Sequence, residues 1–434
     1  MKKLAILIIL LFEQVFGYYS FNTEFFSRFN DCYLEQYVKQ ALYNNHSLKE
    51  ANYRVDQYRS EVKKSFSKEL PSLSVASNYL GTHFPKGDSN FFIRENSFIL
   101  PFSVAYEPDL LLKTKDKINS TKYLYKASVA NQKGTYISLL SDLGSTYVNL
   151  LLYDFLIKQQ EEILSAKEKN LSYTFNKFNF GVVDLINLNN SKEELNAQKT
   201  VYQNLIKNRN QTLYNFSVLI GESAYNSDEI ERGKLEDFEY QGIIPDCISS
   251  DIIYQRPDLI EAQDKLKSAK IDITVARKDF FPTFNIRGSL VFDTAGRGNF
   301  FSWNSSFAYL LLGATQDIFK GGEKIANLKI KKARYQELLE NYKQKDLVAI
   351  KEINNALNII KQDTKTQEFQ LNQLELEKKN LNAQGKKLKR GTISKIEYLN
   401  DKNSYHQQEQ LFAASKALRL VDYFTLYKAV GGEL

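Results

Sequence analysis

The sequence predicts a mixed α+β membrane chain in which one unit, made of a short helix, a β-hairpin and a very long helical hairpin, is written twice in tandem. Three observations carry this reading. First, Ser47-Leu48-Lys49-Glu50-Ala51 falls on Asp258-Leu259-Ile260-Glu261-Ala262 at an offset of 211, and Pro71-Ser72-Leu73 falls on Pro282-Thr283-Phe284. Further along the offset is 210, which sets Phe178 to Val183 on Leu388 to Ile393 and Gly221 on Gly431, a self-similarity that marks an internal duplication. Second, all seven prolines lie between Pro71 and Pro108 or between Pro245 and Pro282. Two long windows are thereby free of the residue that costs a helix interior about 3 kcal/mol. Third, Leu143, Leu150, Ile157, Leu164, Leu171 and Phe178 recur every seventh position, as do Ile353, Ile360, Gln367, Leu374, Leu381 and Leu388. A sustained seven-residue repeat keeps one seam against a partner helix, as in a coiled coil.

In chain order, residues 1–17 read as a secretory signal: Lys2 and Lys3, an apolar run from Leu4 to Phe12, then Val15-Phe16-Gly17. That run is too short to cross a bilayer as a helix, which takes about 20 residues. The first repeat occupies 18–222 and the second 247–434, with 223–246 as an equatorial linker. Each repeat opens with a helix of about 20 residues, expected to start at the capping-box spacings Ser47-x-x-Glu50 and Asp258-x-x-Glu261 and to end before Pro71 and Pro282.

Hairpins are expected at about 71–107 and 282–317. Phe98, Leu100, Phe102, Val104 and Tyr106 alternate with smaller or more polar residues, as do Phe284, Ile286, Gly288, Leu290 and Phe292. The connecting stretches Gly81 to Asp88 and Asp293 to Asn299 are loop sequences, and Trp303 beside Phe300, Phe301 and Phe307 reads as an interfacial aromatic belt. Such alternation also suits a soluble half-buried sheet, but strands of about 9–11 residues fit an outer-membrane barrel. Four strands leave open edges that lipid does not tolerate. The economical arrangement is several chains each giving four strands to one closed barrel.

Long helical hairpins at about 112–220 and 322–430 complete the repeats, turning at Gly181 and Gly391. A chain reversal after a helix favours a residue that accepts the left-handed conformation. At 1.5 Å per residue the outgoing limbs reach about 100 Å and the returning limbs about 60 Å.

Composition narrows function. The net charge is +7, from 58 basic and 51 acidic residues, but the signs are interspersed and no basic arm exists, so nucleic acid is not indicated. Cys32 and Cys247 are the two cysteines; they either pair in an oxidising compartment or stand as independent thiols. Neither has the setting of a lipidated N-terminus, so no lipid anchor is expected. His46, His83 and His406 lack metal-ligand spacing, and no phosphate loop, nucleophile elbow or dinucleotide fingerprint occurs. No enzyme activity, cofactor or metal is expected.

Several blocks carry a family likeness. Phe29-Asn30-Asp31 with Tyr37 to Asn45, Leu48 and Ala51, the block Arg256-Pro257-Asp258-Leu259-Ile260-Glu261-Ala262 running on to Pro282, and the junctions Tyr106 to Leu110 and Asp317 to Gly322 resemble the TolC-type outer-membrane efflux channel family. The closest likeness is to the OprM-like branch that works with resistance-nodulation-division pumps. The resemblance implies a homotrimer in outer-membrane lipid, with a twelve-stranded barrel continuing into a long periplasmic α-helical barrel. It implies passive conduction of drugs and other small toxic compounds, delivered by an inner-membrane resistance-nodulation-division transporter through a periplasmic adaptor, the membrane fusion protein. Many members of that branch carry a lipidated N-terminal cysteine, which this chain departs from.

By the same resemblance, Glu397 and Asn400, with Asp401 adjacent, fall at the narrow periplasmic aperture. Three Glu397 carboxylates around a threefold axis would favour cations; alternatively Glu397 lies on a solvated helix face. Asp184 and Asn187 occupy the related part of the first hairpin. Adaptor contact is expected at Gly181-Val182-Val183 and Gly391-Thr392-Ile393. Two other readings remain open: the duct of a type I protein secretion system, which shares the fold, and a non-transport coiled-coil structural protein, which leaves the hairpins unexplained.

Overall fold

A computed structural model describes residues 23–81, 97–223, 230–245, 248–293, 301, 303 and 306–433. The expected signal, Cys247, Phe300 and most of both hairpin loops lie outside the described residues. In order, the elements are α1 (Glu24–Ser27), α2 (Cys32–Asn44), α3 (His46–Phe66), β1 (Ser72–Val75), β2 (Asn78–Leu80), β3 (Ser97–Tyr106), α4 (Lys113–Asn179) and α5 (Leu185–Ile220). There follow α6 (Ser250–Ile253), α7 (Pro257–Lys278), β4 (Thr283–Asp293), β5 (Ser306–Thr315), α8 (Glu323–Lys389) and α9 (Lys395–Ala429).

The proline-free windows hold the long helices. α4 and α8 are each 67 residues, and their returning partners α5 and α9 are 36 and 35. Each long helix is preceded by a residue with positive φ, Leu112 at 55° in one half and Gly322 at 85° in the other. Each ends in the same hydrogen-bonded turn. Val182 N–H donates to Lys177 O and Gly181 N–H to Phe178 O, while Thr392 N–H donates to Lys387 O and Gly391 N–H to Leu388 O. Gly181 and Gly391 sit at φ 70° and 73°, the left-handed position such a cap requires.

The short helices start differently from the expected capping boxes. The Asn45 side chain, not Ser47, caps α3 by accepting from Leu48 N–H at 3.0 Å, and its amide donates to Leu219 O at the end of α5. α7 begins at Pro257 after Arg256; proline suits that first position, where the N–H has no helical partner. The S-x-x-E spacing at Ser47 and D-x-x-E at Asp258 therefore mark each helix start to within two residues without making the box.

α4 and α8 change partners along their length. Near the sheet, α3, α4, α7 and α8 lie side by side; beyond the midpoint, the row is α5, α4, α9 and α8. α4 and α9 approach closely at Gly144, where a Cβ would lie 2.2 Å from the Phe424 ring. Leu140, Leu143, Tyr147 and Leu150 of α4 are fully buried at this level, each worth about 1.5–3 kcal/mol as an apolar side chain removed from water. An aromatic collar closes over them. Phe29 stacks on Phe424 with centroids 4.7 Å apart and Phe25 on Tyr427 at 4.6 Å, while Phe238 from the 230–245 segment stacks on Phe29. Asp31 caps α2 through Leu34 N–H and accepts the Tyr147 hydroxyl.

Further from the sheet the α4 seam turns polar. Leu143 and Leu150 are buried, but Leu164, Leu171 and Phe178 are only half-buried and Gln160, Ile163, Ala166, Asn170 and Thr174 take the inward positions. A straight helix drifts by about 20° per heptad relative to a strict seven-residue repeat, which moves burial off the original row.

The strands form one antiparallel sheet in the order β1-β3-β4-β5, with β2 also pairing β3. β3 and β4 join the two hairpins directly, with Phe102 opposite Leu290 and Tyr106 opposite Ile286. The first arm, expected as a continuous strand, is divided into β1 and β2. Both keep one register on β3, and the break falls at Ala76, whose N–H donates to Pro101 O at 3.2 Å. Pro101 has no N–H to return the bond, so one rung of the ladder is missing.

Candidate functional site

The tips of the two helical hairpins hold the candidate aperture and turn residues. Asp184 is the N-cap of α5: its Oδ1 accepts from Asn187 N–H at 2.9 Å and from the Asn187 side-chain amide at 2.7 Å. Those hydrogen bonds, the backbone one first, hold the Asp184 carboxyl below the usual carboxylate range. The equivalent cap of α9 is Ser394. Its hydroxyl accepts from Glu397 N–H at 3.2 Å, and Glu397 Oε2 accepts from Ser394 N–H at 2.8 Å, a complete capping box.

Glu397 is thus an exposed carboxylate held by its own helix start. The signal was present in the sequence as Ser394-x-x-Glu397, a spacing that the resemblance-based reading of Glu397 passed over. Asn400 reaches across to the first hairpin, where its Oδ1 accepts from Asn170 Nδ2 at 2.9 Å. Asp401 has a buried Oδ2 without a hydrogen-bond partner among the described residues. The structure therefore brings Asp184 together with Asn187, and Asn400 with α4, while Glu397 bonds to Ser394.

The two turns share a backbone but differ in surface. Around Gly181, Phe180 is 84% exposed, and Val182, Leu185 and Ile186 are also exposed. Around Gly391 the last turn of α8 carries Lys386, Lys387 and Lys389, followed by Arg390 and the exposed Thr392; Val183 and Ile393 are half-buried.

Between the tips and the collar, the α4–α9 seam is lined with polar side chains. His406 Nδ1 lies 2.7 Å from Gln159 Oε1 and 3.0 Å from Glu409 Oε2, and Gln410 donates to Gln160, which donates to Gln198 of α5. Asn403 is 4% exposed, and neither of its amide atoms has a partner among the described residues. Under-satisfied buried polar groups weaken a seam relative to apolar packing, so the tips are held less firmly than the collar.

Two constellations escaped the sequence reading. Arg256 is 7% exposed, donating to Ala429 O at the end of α9, to both oxygens of Asp258 and to Glu352 of α8. The Arg-Pro-Asp block is thus a lock joining three helices. About two turns before the end of α9, burial and the neighbouring Asp363 carboxyl of α8 push the Asp422 carboxyl up to about 7. No sequence spacing announces that pair, because its members are brought together only by the antiparallel register of α8 and α9.

Among the described residues no group of His, Cys, Asp and Glu is arranged to hold a metal ion, and no helix is long and apolar enough to cross a membrane.

Comparisons with known proteins agree with this architecture. The chain is 24% identical over 414 residues to the cation efflux system protein CusC of Escherichia coli O157:H7, covering 93% of this chain and 87% of that one. It is 22% identical over 409 residues to the toluene efflux pump outer membrane protein TtgC of Pseudomonas putida, covering 93% and 84%. The crystal structure of the Campylobacter jejuni CmeC outer membrane channel superposes with a TM-score of 0.84 at 23% identity, over 96% of this chain and 90% of that one. The outer membrane efflux protein model matches residues 37–222 and 248–432, nearly the whole described chain, and this protein belongs to that family.

Proposed function

We propose that this outer-membrane efflux protein, which performs no chemistry on its cargo, works as a homotrimeric exit duct. In this reading three four-stranded sheets close one twelve-stranded barrel, and the α3/α5 and α8 flanks of neighbouring chains close the helical tube beneath it. The observation that carries it is the sheet: among the described residues it ends in two unpaired edges, β1/β2 on one side and β5 on the other. Its face bearing Leu73, Val75, Phe98, Phe102 and Leu310 is apolar and exposed. Lipid accepts such a face but not such edges, and pairing β5 of one chain with β1/β2 of the next removes every edge. The exposed Tyr53, Val218, Ile330, Leu347 and Phe369 along α3, α5 and α8 support the same closure lower down. Tandem duplication of one ancestral unit accounts for the matched helix lengths and turns.

The tips then meet a periplasmic adaptor, which links the duct to an inner-membrane resistance-nodulation-division transporter, with Gly181 to Val183 and Gly391 to Ile393 as the contact turns. Glu397, Asn400 and Asp401, with Asp184 and Asn187, line the aperture. The cargo is drugs and other small toxic compounds; cation- and toluene-efflux relatives stand at nearly equal identity, so the likeness itself does not choose among cargoes. Outer-membrane fractionation followed by electrophoresis without boiling tests the assembly: a detergent-resistant trimer is expected, and recovery in the soluble fraction or inner membrane would overturn it. Deleting the gene is expected to raise susceptibility to dyes, bile salts and antibiotics.

A further inference from the structure

We propose that Arg287 is a selectivity-determining residue in the barrel lumen, forming with its two symmetry copies a ring that favours anionic solutes or anionic groups on cargo. The inference rests on the trimeric duct proposed above. Strand register fixes which way Arg287 faces. Val104, Phe102 and Leu100 of β3 stand opposite Gly288, Leu290 and Phe292 of β4, with Leu73 and Val75 opposite Val104 and Phe102, and Leu310 opposite Gly288. That face is apolar apart from Ser306, which stands opposite Phe292. The alternate set carries the polar side chains of the first strands and β4, namely Ser72 and Ser74, Ser103 and Ser289, and Asn285 beside Arg287, with the Ser103 and Ser289 hydroxyls 3.2 Å apart. It also carries Ile99, Val291 and, on β5, Phe307, Tyr309 and Leu311. Successive strand residues point to opposite faces, so the polar set lines the lumen.

Arg287 is exposed and is the fifth of the eleven residues of β4, well inside the strand. On the lipid face an arginine at mid-depth would cost about 2–4 kcal/mol; on the lumen face it meets water. Its cross-strand neighbours, Ala105 of β3 and Leu311 of β5, carry no charge. Among the described residues no carboxylate lies within ion-pair distance of it. The other charged side chain in the described strands, Asp293, is six residues further along β4, about 20 Å at 3.3 Å per residue. That exceeds the screening length of about 8 Å at physiological ionic strength, so Asp293 does not neutralise it. A threefold axis then places three guanidinium groups at one level with no acid in the described strands at that level; Glu107, just past the end of β3 on the same face, is close enough to Lys117 to act on its charge. Arginine's planar fork suits carboxylate, phosphate and sulfate groups, and rings of arginine favour anions in pores.

The test is the reversal potential of the full-length trimer in planar bilayers under a potassium chloride gradient, for the wild type, Arg287→Lys, Arg287→Gln and Arg287→Glu. A twofold or greater fall in the chloride-to-potassium permeability ratio is expected for Arg287→Gln, about the scale on which a lumen charge acts, with a larger fall for Arg287→Glu and little change for Arg287→Lys. Inorganic tripolyphosphate added on the loop side is expected to block the wild type and Arg287→Lys more strongly than Arg287→Gln. Variants that run as detergent-resistant trimers and conduct with the wild-type ratio would overturn the ring while leaving the duct intact. A wild-type chain that gives neither trimer nor channel would remove the duct, and the ring with it.

Discussion

Replacing Arg256 with methionine should loosen the junction where α7, α8 and α9 meet, and the structure sets the size of the effect. The substitution removes a hydrogen bond to the Ala429 carbonyl at 2.8 Å, a two-pronged bond to Asp258 at 3.0 and 2.9 Å, and a bond to Glu352 at 2.7 Å. Breaking a fully buried ion pair from one side costs about 3–5 kcal/mol. Here only the guanidinium is buried: the Asp258 and Glu352 side chains are 39% and 46% exposed, so water takes over much of their solvation. What remains is the stranded carbonyl, about 1–3 kcal/mol, plus a screened fraction of the ionic part, and the expected loss is about 2–3 kcal/mol. Urea unfolding followed by far-ultraviolet circular dichroism at pH 7 measures it. A loss within about 0.5 kcal/mol, the range of an ordinary surface change, would refute the lock. The same contacts fix a pH response. Burial alone would raise the Asp258 carboxyl, but the hydrogen bonds and charge of Arg256 outweigh it and hold it below the ordinary carboxylate value. Its contribution is therefore present above the unfolded carboxylate value and fades as pH falls through the lower folded one, a fade that Arg256→Met should weaken, leaving the smaller effects of Lys345 and the Leu259 N–H.

Other perturbations have signs that the structure fixes. Leu112→Gly should stabilise the chain by about 0.5–1 kcal/mol, because relief of about 1–2 kcal/mol of left-handed strain exceeds the added freedom of the unfolded glycine; Gly322→Leu at the matching position should destabilise it, and thermal unfolding of the pair reads both. Asp422 has a folded value raised to about 7 from 3.8, so stability should fall as pH rises between those values, and Asp422→Asn should flatten that slope; an unchanged slope would show that the carboxyl is not shared with Asp363. Glutamine at the third helical position still completes a capping box. Glu397→Gln should therefore keep the stability of α9 while shifting cation selectivity if Glu397 lines the aperture, whereas Glu397→Ala should cost about 1 kcal/mol through the cap alone; unchanged conductance in Glu397→Gln would leave Glu397 a capping residue only.

Backbone requirements are legible in this sequence because few residue types meet them. Gly181 and Gly391 announce the turns, since an L side chain there would have to take a positive φ, and the absence of proline after Pro108 and Pro282 announces 67-residue helices. Chemistry that depends on which face of a helix meets which neighbour was not legible. The partners of Arg256 lie two, 96 and 173 residues away. The sequence shows an Arg-Pro-Asp block but not the α9 carbonyl it reaches. The break in the first strand lies between these cases: Pro101 is visible, but only its pairing with Ala76 shows that the missing N–H faces a partner strand.

The same logic extends to the two hairpin tips, where the proposed aperture lies. Their backbone turns match because both must reverse a 67-residue helix with the same hydrogen bonds, and one set of rules governs both. Their side chains differ because those rules leave the side chains free: Asp184 caps with an aspartate and Ser394 with a serine completed by Glu397. Phe180, Val182, Leu185 and Ile186 surround one turn and a cluster of lysines the other. In the proposed threefold assembly the tips would alternate between apolar and basic rather than form six equal ones. An adaptor built to fit it needs two kinds of contact, an apolar socket for the Gly181 turn and an acidic one for the Gly391 turn. Charge reversal at Lys386 and Lys387 and polar replacement of Phe180 and Val182 should then weaken adaptor binding with different salt dependence, because screening acts on the first pair and not on the second.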